Sequence, residues 1–227
     1  MKIVAASDSS LLVEFGPTVS EQLHSRVIGL FRALLAEPDP RIQNLHPGYA
    51  SLLIDFDVLR ISHEQLATKV RELIDAETEV ERVSARTIDI PVCYDAEFGP
   101  DLGDVAEHNK ITTDEVIRLH TSTAFLVYFL GFSPGFAYMG GLPEKLRTPR
   151  LATPRARVTA GSVGIAGQQT GVYPIDSAGG WRLIGRTPEQ MFDASASPPT
   201  RLQPGDMVRF TSISRGSFEQ MRKRNPS

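Results

Sequence analysis

The chain has 227 residues, 41% hydrophobic and 22% charged, with 24 Lys and Arg against 27 Asp and Glu and a net charge of −3. That length and balance suit one large or two small globular domains, and the small acidic excess argues against an extended nucleic-acid surface, which needs basic charge. A single cysteine, Cys93, excludes an internal disulfide, and the longest apolar run, Phe125 to Phe132, is too short for a bilayer and contains Gly131.

MKIVAASDSS, interrupted by Asp8, has no sustained apolar core, so no signal peptide and a cytoplasmic setting are expected. Ile3–Ala6 and Leu11–Phe15 read as strands around a turn at Asp8-Ser9-Ser10. Thr18 with Glu21 has capping-box spacing, and Val19, Leu23, Val27, Leu30, Phe31 and Leu34 follow at helical spacing. Pro38-Asp39-Pro40 ends that helix. Ile42–Leu45 and Tyr49–Phe56 form a hairpin across Pro47-Gly48. Ser62 with Gln65 then starts a helix lined by Leu66, Val70, Leu73 and Ile74. This loose ββα duplication gives a small α+β sandwich over residues 1–82.

Residues 83–215 read as a second domain. Arg86–Val92 alternates as a strand, Leu102–Asn109 and Thr112–Thr121 are short helices, and Phe125–Leu130 returns to strand. Strands are expected at Arg157–Thr159, Val163–Ala166, Gly171–Ile175, Trp181–Arg186 and Met207–Thr211, the last after a Pro204-Gly205-Asp206 turn. Many short strands with Gly and Pro punctuation favour a barrel or sandwich, so the fold class is α+β. The polar tail from Arg215, residues 216–227, is expected to fray.

Several chemistries are absent from the sequence. There is no phosphate-binding G-x-x-x-x-G-K-[ST], and Gly161-Ser162-Val163-Gly164 has the wrong spacing for a nucleophile elbow. His24, His46, His63, His108 and His120 show no metal-ligand spacing. His24, His63 and His108 fall on polar helix positions and are expected to be solvated. Cys93, at a strand end, reads as a small buried hydrophobe. No metal site is expected.

The candidate site residues gather between Phe129 and Pro188, which is dense in Gly, Pro and Arg and holds the only Trp. Arg147, Arg150, Arg155 and Arg157 lie in RTPRLATPRAR, where proline stiffens the backbone. A guanidinium so held suits a carboxylate or phosphate, or it is a solvated basic loop. Gly161, Gly164 and Gly167 could aim successive amides, with Ser162, at an anion, or simply make tight turns. Gln168, Gln169 and Thr170, between expected strands, offer uncharged donors to an amide, or serve turns. Tyr173 and Trp181 keep polar handles in an aromatic set that includes Phe132, Phe136 and Tyr138. Arg186 completes the binding candidates. His120, at a helix end, is a weak acid–base candidate against a charged helix C-cap.

The strings FLGFSPGFAYMGGL, TPRLATPRARVTAGSVGIAGQQTGVYP and GGWRLIGRTP, with PGDMVRF at Pro204–Phe210 and the placing of His120, resemble the 5-oxoprolinase B-subunit family. That family also goes under allophanate hydrolase subunit 1 and the Kip-type histidine-kinase inhibitor. Thr159 and Ala178 stand where it usually has proline, Met139 where it has leucine and Phe125 where it has tyrosine. The resemblance implies an N-terminal α+β domain and a cyclophilin-like β-barrel. It also implies a hetero-oligomer with C and A partner components, and ATP with Mg held by this chain or shared with a partner. The implied reaction is ATP-dependent opening of the cyclic amide 5-oxoproline to glutamate, with this chain inactive alone. An allophanate hydrolase or urea amidolyase-type component and a regulator of a sensor histidine kinase are the alternatives. No nucleic-acid or membrane partner is implied.

Overall fold

A computed structural model describes residues 1–76 and 86–224. The chain divides into two compact units, Met1–Ser84 and Ala85–Ser227. The domain boundary expected at residues 82 and 83 lies outside the described residues.

In the first unit, β1 (Lys2–Ser7), β2 (Ser10–Glu14), β3 (Ile42–Pro47) and β4 (Ser51–Phe56) form an antiparallel sheet in the order β1-β2-β4-β3. Strand alternation puts Leu11 and Val13 of β2, and Leu52, Ile54 and Phe56 of β4, on one face. The helices α1 (Glu21–Ala36) and α2 (His63–Ala76) cover that face with Val27, Leu30, Leu34, Leu66 and Val70, all buried.

The start of α1 differs from the expectation. Ser20, in an extended conformation, is the cap, and its Oγ accepts the Leu23 N–H at 3.2 Å. Thr18 therefore lies outside the helix and Val19 is exposed. Ser is at least as good a cap as Thr, and Ser20 sets Leu23 and Val27 in register with the core. At α2 the reciprocal box forms as expected. Ser62 N–H donates to Gln65 Oε1 at 2.9 Å, and Gln65 N–H donates to Ser62 Oγ at 3.2 Å. His24 and His63 are not solvated surface residues. His24 is buried with Nδ1 3.2 Å from both Gly48 O and Tyr49 O, and half-buried His63 sets Nε2 2.9 Å from Ser7 O.

In the second unit, seven strands follow the order β12-β9-β10-β7-β6-β13-β5. These are β5 (Thr87–Val92), β6 (Ala124–Leu130), β7 (Ala137–Gly140), β9 (Ser162–Ala166), β10 (Gln169–Val172), β12 (Arg182–Arg186) and β13 (Met207–Ser212). All pair antiparallel except β13 with β5. The two edges meet where Cys93 and Arg186 exchange backbone hydrogen bonds of 2.9 Å each, so the sheet curls into a nearly closed barrel. A separate ribbon pairs β8 (Arg155–Val158) with β11 (Ser177–Gly179). The helices α3 (Leu102–Asn109) and α4 (Thr113–Ser122) pack on each other, with α4 against β13 and α3 against β12. The barrel is filled by Ile90, Val92, Val127, Met139, Val163 and Ile165 among others.

The strands β7 (AYMG) and β11 (SAG) were not expected, because both are short and Gly, Ala and Ser have little strand propensity. The tail also differs: Arg215–Arg224 is a helix, α5, anchored by buried Phe218 on Phe98 at 4.5 Å between ring centres. One aromatic with a pocket outweighs a polar surrounding sequence.

Candidate functional site

The second unit carries an apolar cluster distinct from the barrel core, built from Phe136, Val158, Ala166, Tyr173, Trp181 and Leu183. Trp181 lies against several of these groups. Phe136 meets it edge-on at 5.3 Å, Tyr138 at 6.0 Å, and the Arg150 guanidinium lies 6.0 Å from its ring centre. Tyr173 packs on Phe136 at 5.2 Å. Burial pushes the Tyr173 phenol up, while the Trp181 backbone N–H donated to it and the nearby Arg150 and Arg155 charges pull the other way. The phenol is therefore a neutral donor at neutral pH.

Arg155 opens β8 and pairs with Gly179 of β11. Its Nη2 donates to Asp101 Oδ1 at 2.6 Å, while its Nη1 is buried without a hydrogen-bond partner. The buried Ser133 and Ser177 hydroxyls likewise have none. Native proteins seldom leave buried polar groups unmatched, so each such group asks for an explanation. Phe132, in the same loop as Ser133, is 64% exposed and held at φ 69°. That conformation is costly for a bulky residue and concentrates at functional loops. Arg150, Arg155, Tyr173 and Trp181 are thus brought together, and Asp101 joins them unannounced. Asp101 stands at the N-cap position of α3, but its side chain makes no capping hydrogen bond. Its Oδ2 instead accepts the Leu183 N–H at 2.7 Å.

The remaining candidates lie elsewhere. The anion nest at Gly161, Gly164 and Gly167 is not available, since its amides are spent. Gly161 N–H donates to Tyr173 O at 2.7 Å, Ser162 N–H to Thr159 O at 3.1 Å and Gly167 N–H to Thr148 O at 2.8 Å, while Gly164 sits inside the β9–β10 ladder. Arg186 is half-buried, its guanidinium drawn down by burial, and its Nε ties to Ala160 O at 2.9 Å. This clamps the Gly161 turn. Arg157 is an exposed partner of Asp176 at 2.6 Å, and Arg147 is exposed.

Gln168 lies in the exposed turn between β9 and β10, but Gln169 and Thr170 are inside β10 rather than between strands. A Cβ on Gly171 would touch Phe136 and Trp181, so Thr170, one residue earlier, faces the opposite side. Thr170 meets His120 there, inside the barrel. His120 Nδ1 is 2.8 Å from the Tyr94 hydroxyl and Nε2 is 3.0 Å from Thr170 Oγ1, which itself donates to Gly164 O at 3.0 Å. Thr170 has one proton and spends it on Gly164. His120 must then donate from Nε2 and accept from Tyr94 at Nδ1. Burial lowers the imidazole to about 3. His120 is a neutral tie in the core, not a charged helix cap. Cys93 is buried, and burial raises its thiol.

An open depression of about 540 Å³ lies in the first unit, lined by Asp39, Arg41, Arg60 and Lys69 among others. Its buried Asp39 carboxylate is already met by Arg41 and Lys69, each at 2.8 Å, which hold it far below the usual carboxylate range. That saturated arrangement is a loop clamp. Among the described residues no cluster of His, Cys, Asp and Glu could hold a metal, and no helix is long and apolar enough to cross a membrane.

The sequence matches the carboxyltransferase domain, subdomain C and D, over residues 1–202. A Bacillus subtilis protein named as the B subunit of 5-oxoprolinase is 38% identical, with 96% of this chain and 95% of that protein covered. The Haemophilus influenzae protein of the same name is 42% identical over 92% of this chain and 97% of its own. The chain belongs to the 5-oxoprolinase B-subunit family of carboxyltransferase-domain proteins. A crystal structure of TTHA0988 superimposes with a TM-score of 0.81 at 36% identity, covering 90% of this chain and 40% of that one. A Saccharomyces cerevisiae urea amidolyase is 25% identical over 95% of this chain, which spans 13% of that protein. Within this family's fold, the arginine–aromatic cluster is the candidate for binding a ligand. Its described residues supply guanidinium groups beside packed aromatic rings.

Proposed function

We propose that this chain is the B component of an ATP-dependent 5-oxoprolinase, working with A and C components to open 5-oxoproline to glutamate. The supporting observation is identity of 38% and 42% over nearly the full length of proteins that carry that name. A lactam is a poor electrophile, and ATP, when bound, supplies the activation of its carbonyl oxygen. The glycine run of this chain does not fit the phosphates, because its amides are engaged in turns. On this reading the nucleotide, with Mg, is held by the partner components. This chain's part is to bind and orient. Arg155 and Arg150 take the substrate carboxylate, and Trp181 and Tyr138 flank the small ring. Tyr173, neutral at neutral pH, lies in the field of both arginines.

The isolated chain is expected to be inactive, and the chain reconstituted with the A and C components to release glutamate only with ATP. The proposed setting is the cytoplasm, where ATP is at hand. Absence of turnover in the full reconstitution would defeat the proposal. The urea amidolyase similarity supports a second reading, a component acting on an open-chain amide such as allophanate. Offering the same assembly both substrates separates them.

A further inference from the structure

A guanidinium can bind a carboxylate in one orientation only if something else fixes its plane, because Arg has several rotatable bonds. In this chain Asp101 does so. Its own carboxylate cannot drift: the residue is 4% exposed, its N–H donates to Leu183 O at 2.9 Å, and its Oδ2 accepts the Leu183 N–H at 2.7 Å. Only Oδ1 remains for Arg155, and it takes Nη2 at 2.6 Å. The far corner of the fork, Nη1, is left buried and unmatched. Arg41, by contrast, spends two donors on Asp39, at 2.9 and 2.8 Å. Here the fork is divided, with one end anchored and the other buried and unpaired.

We propose that Asp101 is a positioning residue that anchors Arg155 through Nη2 so that Nη1 is presented to the carboxylate of a small acid in the Trp181 cluster. This rests on the reading of that cluster as the substrate site. Asp101 touches no substrate. It lies on the α3 side of the barrel and holds Arg155 to β12 through Leu183. Arg150, over the Trp181 ring, has no such anchor among its described contacts and serves as the adaptable second cation.

The test is steady-state kinetics of the complete three-component assembly with 5-oxoproline, comparing D101N, R155A, R155K and the D101N/R155A pair. D101N keeps an acceptor for the Leu183 amide and should raise KM about tenfold, with kcat changed less than twofold. R155A should raise KM at least as much, and the double variant no further than R155A, because both act through one guanidinium. R155K retains a charge for Asp101 but has no second corner to offer. It should match R155A even if D101N fails to fold. A wild-type KM in R155K, or in folded D101N beside a raised KM in R155A, would overturn the positioning role and leave the site standing. An additive double variant would overturn it too. A wild-type KM in R155A would remove the site itself, and an inactive wild-type assembly would remove the function, each taking the inference with it.

Discussion

Replacing His120 by leucine should make the second unit's stability less dependent on pH. An unfolded imidazole titrates near 6.5, whereas burial lowers folded His120 to about 3. Below pH ~6.5 the unfolded chain gains a proton that the folded chain refuses. The stability tied to this group is thus full above that point and drains as the pH falls towards 3. Between pH 7 and pH 5 the unfolded group crosses ~1.5 units below its own pKa, and at ~1.36 kcal/mol per unit the loss is about 2 kcal/mol. H120L removes this titration. At pH 7 it strands the Tyr94 hydroxyl, at a cost of ~1–3 kcal/mol, while Thr170 keeps its bond to Gly164. The gap between wild type and H120L should therefore narrow by about 2 kcal/mol at pH 5. Other titrating groups are common to both proteins and cancel. Urea unfolding followed by Trp181 fluorescence reads the correct unit, since Trp181 is the only tryptophan and lies within it. An equal gap at both pH values would refute the buried neutral histidine.

Gly161 and Gly167 both have positive φ, but a Cβ at Gly161 would fall 2.5 Å from Thr187 O and one at Gly167 would meet nothing within 4 Å. Thermal or urea melts should show G161A losing at least ~2 kcal/mol more than G167A, which carries only the ~1 kcal/mol left-handed penalty. Ser62→Ala removes the side-chain arm of the α2 capping box and should cost ~1 kcal/mol, read by circular dichroism as a lower urea midpoint; no change would make the box incidental. Phe218→Ala should cost ~3–5 kcal/mol by emptying the α5 anchor, with an unchanged Trp181 melt as the contrary result. Arg157→Ala removes an exposed ion pair with Asp176. It should leave KM for 5-oxoproline unchanged, and a raised KM would extend the site to that arginine.

Much of the architecture was legible because local patterns and packing agree. Leu11 and Val13, and Leu52, Ile54 and Phe56, alternate as strands facing one layer must. Leu102–Asn109 and the Thr112 cap coincide with the observed α3 and the start of α4. Where several residues compete to cap, as Thr18 and Ser20 do, only the packing of Leu23 and Val27 decides. The fraying expected after Arg215 failed for a similar reason. A lone Phe218 shows no periodicity, and its stabilising partner Phe98 lies far away in sequence.

The Gly-, Pro- and Arg-rich stretch holds the candidate site, and its residue types pointed to a small anion or amide. Its division was invisible, because in a strand one step along the chain reverses the face. Thr170 enters the barrel to meet His120, whereas Gly171 leaves room for Trp181 outside. Glycine amides that read as an anion nest are consumed by turns whose acceptors, Tyr173 O and Thr148 O, come from other segments. Asp101 and Arg155 are separated by a helix pair and two strands, and no local rule links them. The sequence by itself determined most of the strands and helices and the family. The tertiary structure alone decided which arginine is anchored and which end of it is free, because hydrogen-bond pairing is settled by what the fold brings within about 3 Å.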